Sequence, residues 1–187
     1  MTDDSSAGFP GNPASATLLL DAFGRIRDVV HEVVDGLDPA ELNQRLDGRA
    51  NSITWLVWHL SRVQDDHVAG VAAAPQVWHA DGWERRFGLA LDTGPQDGYR
   101  SIGYGHSSAD VDAVQVSDPA LLLGYHDAVH AQTARYVTGL RDGDLARVVD
   151  TAWDPPVTLG VRLVSVVSDD LQHAGQAAFA RGLIRPA

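Results

Sequence analysis

The sequence predicts an all-α fold, a four-helix bundle with one long irregular crossover between its second and third helices. Three observations carry this. Apolar residues recur at three-and-four spacing over four long stretches. No segment shows a convincing period-two alternation of a strand, and between residues 74 and 117 the helical period disappears. A chain of 187 residues is the usual size of one domain and can bury an ordinary hydrophobic core.

Residues 1–15 hold Gly8, Pro10, Gly11, Asn12 and Pro13 among small polar residues and are expected to form a flexible tail, with residues 16–187 as a single domain. From Ala16 to Leu37, Leu19, Leu20, Phe23, Ile26, Val30, Val33 and Val34 mark the first long helix, ended by Asp35-Gly36. Asp38-Pro39-Ala40-Glu41 reads as an N-cap, a first-position proline and a first-turn acid, which predicts a short helical segment through Leu46. The second long helix begins near Asn51 or Ser52, either able to cap it, and runs to about Ala73 with Ile53, Leu56, Leu60 and Val63 on one face.

The crossover places Trp78, Trp83, Phe87, Tyr99 and Tyr104 among glycines and prolines, and five aromatics favour an ordered, packed segment. Ser107 or Ser108 can cap a short turn reaching Val114. The third long helix follows Ser117-Asp118-Pro119 and reaches Leu140, with Leu122, Tyr125, Val129, Tyr136 and Val137 inward. Trp153-Asp154-Pro155-Pro156 excludes helix just before Val157, so the fourth is expected from about Thr158 to Leu183, on an inner stripe of Leu159, Leu163, Val166, Val167, Ala174 and Ala177.

Composition excludes several chemistries. With no cysteine there is no disulfide, thiolate metal site or cysteine nucleophile, so any catalytic sulfur must come with a substrate. With no lysine there is no Schiff base and no P-loop. A net charge of -11 argues against a nucleic-acid partner. The first residues, Met1-Thr2-Asp3-Asp4-Ser5-Ser6, are acidic where a signal peptide would be basic and then apolar, and no run approaches a membrane span; a cytoplasmic protein is expected.

The eight histidines are the candidates for metal or proton chemistry. His31 and His79 read as structural, and His106, in Gly103-Tyr104-Gly105-His106, is placed to contact a substrate only on a weak signal. His126 and His130 are four apart, but they sit about 65° and about 105° from the centre of their helix's apolar face, which predicts solvated flank positions. His59 falls about 60° from the centre of the second helix's apolar face and His67 nearly at that centre, so both point inward and need partners. In the last helix, Asp169 and His173 are four apart and share a face, with Asp170 a competing carboxylate three residues from His173. A histidine from the second helix, a carboxylate and His173 make a two-His-one-carboxylate set with open positions; a metal-free buried carboxylate–histidine pair accounts for the same spacing equally well.

The segments Trp55-Leu56-Val57-Trp58-His59-Leu60-Ser61-Arg62-Val63-Gln64-Asp65-Asp66-His67 and Asp169-Asp170-Leu171-Gln172-His173-Ala174-Gly175-Gln176 resemble the DinB-like superfamily, in particular the branch related to mycothiol-dependent transferases and maleylpyruvate isomerase. The resemblance covers both helices closely and residues 16–185 more loosely. It implies a four-helix bundle and a divalent ion, zinc or nickel, held by His59, Asp169 and His173. The family usually has glutamate or histidine where Asp169 stands, so this chain departs there. It also implies dimers and a small-molecule thiol of the mycothiol type as cosubstrate, and hence a metal-dependent thiol S-transferase acting on a small electrophile. Asp66 and His67 are candidates to orient a ligand or shuttle a proton, and a structural role serves them as well. Arg62 or Arg162 could bind a carboxylate, and Trp78, Trp83 and Tyr104 could wall a pocket or simply pack the core. The alternatives are a non-catalytic, stress-related dimeric metal-binding domain and a metal-dependent hydrolase, because an ion that activates water needs the same open position.

Overall fold

The computed structural model describes residues 13–89, 91 and 95–185. Most of the expected N-terminal tail lies outside the described residues, but Ala14 and Ser15 already belong to the first helix. In order, the helices are α1 (Ala14–Val34), α2 (Pro39–Asn43), α3 (Ile53–Ala72), α4 (Val77–Ala80), α5 (Trp83–Phe87), α6 (Ser108–Ala113), α7 (Pro119–Thr138) and α8 (Leu159–Ile184). The four long ones are α1, α3, α7 and α8. α3 packs on α7 and α8, and α1 packs on the same two, so α1 and α3 face each other across the bundle's diagonal.

The expected caps form. Ser52 accepts from the backbone N–H of Trp55, Thr158 from Val161 and Asp118 from Ala120, while Asp38 with Glu41 and Ser107 with Asp110 each close a capping box. Each cap satisfies backbone donors that a first turn leaves unpaired, so the helix starts fall within a residue or two of expectation.

Three features depart from the sequence reading. The first is the crossover, which contains α4, α5 and a 3₁₀ segment, Pro95–Ile102, besides the expected α6. α4 is too short to hold itself; the Asp65 carboxylate, from α3, accepts from the N–H groups of Val77 at 2.9 Å and Trp78 at 2.8 Å and so caps it from outside. The second is a small antiparallel hairpin, β1 (Val148–Asp150) with β2 (Val157–Thr158), too short for alternation to reveal. It carries the exposed Trp153 near its turn. The third is burial. The crossover covers the side of α3 that α7 and α8 leave open, and every residue from Ser52 to Asp65 is buried, not one face alone. Trp58 and Trp78 are fully buried and meet edge to face, with Trp78 5.0 Å from the Tyr125 ring.

The packing of α7 between α1 and α3 overturns the expected solvated position of His126. It is fully buried, and its Nδ1 lies 3.0 Å from Ser61 Oγ. Because the Ser61 hydroxyl donates to the Val57 carbonyl, His126 Nδ1–H is the donor of that pair. Burial pushes the His126 pKa down to about 3. The folded protein therefore binds fewer protons here than the unfolded chain, and stability rises with pH from about 3 to 6.5 and is level above it. The share lost on full acidification is on the order of 3–5 kcal/mol. Denaturant midpoints measured from pH 7 to pH 4 are expected to fall steeply in the wild type and less in His126→Gln. Parallel curves would contradict the assignment.

No helix among the described residues is long and apolar enough to cross a membrane.

Candidate metal centre

α3 and α8 lie side by side, and that packing brings His59, Asp169 and His173 together. One donor atom from each lies within 4.8 Å of the others. Each of the three side chains is oriented by a neighbour. His59 is 2% exposed; its Nδ1–H donates to the Ile102 carbonyl at 2.5 Å, which leaves Nε2 as the lone pair available to the site. His173 Nδ1–H donates to Gln176 Oε1 at 2.9 Å, leaving its Nε2 3.8 Å from Asp169 Oδ2. Tyr104 O–H donates to Asp169 Oδ1 at 3.1 Å, whereas Asp169 Oδ2 is buried with no hydrogen-bond partner among the described residues. A buried carboxylate oxygen without a donor is costly by about 1–3 kcal/mol unless something positive meets it. Two imidazole lone pairs and that oxygen, facing one another, are a donor set suited to a divalent cation.

The electrostatics agree. Burial lowers the His59 pKa to about 4, with His173 adding to the effect, so the ring is a neutral donor at pH 7. Burial and the Asp169 carboxylate raise the Tyr104 hydroxyl, which stays protonated and can donate. Asp170 is fully buried, and burial followed by the neighbouring Asp169 raises it well above the carboxylate range. It is not part of the donor cluster, so the two adjacent aspartates divide: Asp169 faces the site and Asp170 the interior.

Aromatic rings wall the centre. The Trp55 indole stacks on His59 at 4.5 Å, and its Nε1–H donates to His106 Nδ1 at 3.1 Å. His106 passes a hydrogen bond on to the Arg100 carbonyl at 3.1 Å, so it braces the wall with both ring nitrogens. The Tyr104 ring lies 5.1 Å from that of His59. The turn that delivers both Ile102 and Tyr104 depends on Gly103, whose φ of 109° suits glycine, and where an added Cβ would overlap His59 Nδ1. Gly103→Ala is expected to weaken divalent-metal affinity by about tenfold to a hundredfold, the effect of losing a ligand's orienting partner. Isothermal titration with zinc checks this, and an unchanged affinity would contradict it.

The other sequence candidates fall elsewhere. Arg62 is fully buried, not ligand-facing: Nη1 donates to Gln76 Oε1 at 2.9 Å and Tyr125 Oη at 3.3 Å, and the guanidinium lies over Trp78. The complete covering of α3 is the reason. Trp78 is core, and Trp83 is partly buried beneath Arg86. Asp66, His67 and Arg162 meet beyond the centre, where they line a polar cavity of about 520 Å³ with Gln76, Arg147 and Asp150. Sequence reasoning missed Trp55, Ile102, Gly103 and Gln176. Gln176, three residues from His173, and Trp55, four residues before His59 on the same helix, carried a local signal, and Ile102 and Gly103 carried none.

Fold and site together define a DinB-like four-helix bundle with a His–Asp–His donor set between its second and last long helices. Within that class the chain belongs to the mycothiol S-transferase family, whose model matches residues 18–186. Among solved structures it is similar to a crystal structure of the conserved protein of a locus from Enterococcus faecalis, with 29% identity over 93% of this chain and 98% of that one and a TM-score of 0.84. No curated protein matches it.

Proposed function

We propose that the protein is a divalent-metal-dependent thiol S-transferase that joins a mycothiol-type thiol to a small electrophile. The observation that carries this is the partly buried, preoriented donor set of His59, Asp169 and His173 in a chain without cysteine that belongs to a thiol-transferase family. His59 and His173 would hold the ion, zinc or nickel, through their Nε2 atoms and Asp169 through Oδ2. When bound, such an ion lowers the pKa of a thiol at its open position and presents the sulfur as thiolate.

The chain's own residues do the rest. The Ile102 carbonyl and Gln176 keep both imidazoles in the ligating tautomer. Trp55 stacks on His59 and Tyr104 meets its ring edge to face, so both wall the site. The thiol's proton passes to solvent, for which His67 beside Asp66, on the cavity side, is a shuttle candidate. The sulfur then forms a C–S bond as the electrophile's leaving group departs with its electron pair. The reading carries with it a cytoplasmic location. It also allows a homodimer, for which Val164, Leu171 and Phe179, exposed along α8, offer a seat.

The test compares native, chelator-stripped and zinc- or nickel-reloaded protein with mycothiol and chlorodinitrobenzene. The rate is expected to vanish on stripping and return on reloading. A rate unaffected by stripping, or none at full metal occupancy with any electrophile tried, would refute the proposal, the latter leaving a metal-binding domain.

A further inference from the structure

A second cavity, of about 470 Å³, adjoins the metal centre. It is lined by His67, Tyr99, Tyr104, Trp153, Val157, Val161, Arg162 and Ser165. Tyr104 belongs to both places: its hydroxyl reaches Asp169, and its ring meets that of Tyr99 at 6.1 Å inside the cavity. The cavity thus begins one side chain away from the donor set. Its volume suits a small ligand. Tyr99, Trp153 and Val161 are each more than half exposed, large apolar groups left open to solvent around one opening.

The walls are apolar except at one corner. There Arg162 is the one formal charge among the described residues that line the cavity, and none of those is an acid, although the chain as a whole carries a charge of -11. The acids lie on the other side of the guanidinium, where Asp66 and Asp150 line the polar cavity. Asp150 accepts from Arg162 Nη2 at 2.8 Å, and His67 Nδ1 lies 3.4 Å from Nη1. These contacts hold the guanidinium in place from behind. They use only part of its five donors and leave the rest for an oxygen acceptor. His67 contributes as well: with Nδ1 between Arg162 and Asp66, its other ring nitrogen has no partner among the described residues. An arginine fixed by its own chain at the end of an apolar slot is the arrangement that selects a carboxylate on an apolar body.

We propose that this cavity binds the electrophile, and that Arg162 and His67 make it selective for small apolar electrophiles bearing a carboxylate. Naming the occupant an electrophile rests on the thiol-transfer reading above; the binding preference does not.

The experiment has two arms on the zinc-loaded full chain. In the first, the unreactive pair 4-methylbenzoate and methyl 4-methylbenzoate is titrated against tryptophan fluorescence. The wild type is expected to bind the acid about tenfold to a hundredfold more tightly than the ester, the range of a charge-assisted hydrogen bond. Arg162→Gln is expected to lose that preference and Trp153→Ala to weaken both ligands. Because Arg162 also holds Asp150, Val161→Trp serves as a second variant: it fills the cavity mouth and is expected to block both ligands at unchanged metal content. In the second arm, mycothiol is offered 4-(chloromethyl)benzoate or its methyl ester. A C–S bond forms at the benzylic carbon, chloride leaves with the C–Cl electron pair and the thiol proton goes to buffer. The acid-to-ester ratio of kcat/KM is expected to fall about tenfold or more in Arg162→Gln.

Equal binding of acid and ester by the wild type would overturn the inference. So would a preference that survives in Arg162→Gln and disappears on stripping the metal, since the carboxylate would then sit on the ion. Acid-selective binding lost in Arg162→Gln, without transfer to any electrophile, would uphold the cavity assignment and sink the transfer reading. Transfer without acid selectivity would do the reverse.

Discussion

Replacing His59 with alanine is expected to lower divalent-metal affinity by more than about a hundredfold, because it removes a ligand outright where removing an orienting partner alone costs up to that much. Elemental analysis of protein purified without a nickel column should show clear occupancy in the wild type and none in the variant. Thiol transfer should fall to the uncatalysed rate. A separate readout is thermal. An ion that binds only the folded state raises the wild-type Tm with its concentration, and the Tm of His59→Ala should not respond. The variant also leaves the Ile102 carbonyl without its donor, a cost of about 1–3 kcal/mol that is present with or without metal. His59→Gln, which keeps bulk and a donor, should recover part of that stability and none of the affinity. Metal content unchanged in both variants would remove His59 from the centre.

The largest effect on stability is expected from Asp65→Ala, about 3–5 kcal/mol, which for a chain of this size lowers Tm by roughly 6–20 °C. Asp65 is 2% exposed and accepts from Val77 N–H, Trp78 N–H and, at 2.9 Å, the Tyr125 hydroxyl. Its other neighbour is the fully buried Arg62, 3.6 Å away. Burial raises the carboxyl's pKa, and the two backbone donors, Arg62 and Tyr125 offset only part of that rise. Alanine would leave a buried cation without its counter-charge and α4 without its cap, so the crossover that covers α3 should loosen with it. A shift of less than about 1 kcal/mol in urea unfolding would show that the network contributes little to holding the segment.

That network also marks where the sequence stopped being legible. The four long helices could be read because each writes its own periodicity and cap, as Ser52, Asp118 and Thr158 do within a few residues of the groups they serve. The donor set was legible in part for the same reason: Asp169 and His173 share a helix face by spacing alone. His59 joined them through resemblance, and choosing between Asp169 and Asp170 needed the packing of α8. What could not be read depends on partners distant in sequence. α4 exists where the Asp65 carboxylate, twelve residues upstream of Val77, supplies its first turn. His126 was placed by a single-face argument on its own helix, which fails where α3 packs over that flank and meets the ring with Ser61. Gly103 and Ile102 gave no signal because their role, holding one nitrogen of His59, lies 43 residues away.

The central claim is that His59, Asp169 and His173 hold an ion whose open position receives an external thiol. Cobalt(II) reports on this directly, because thiolate bound to cobalt adds a charge-transfer absorption in the near ultraviolet that nitrogen and oxygen ligands do not. Titrating cobalt-loaded protein with mycothiol is expected to raise that band to saturation at about one thiol per cobalt, with no band in His59→Ala. Stoichiometric cobalt whose spectrum the thiol leaves unchanged would contradict the claim.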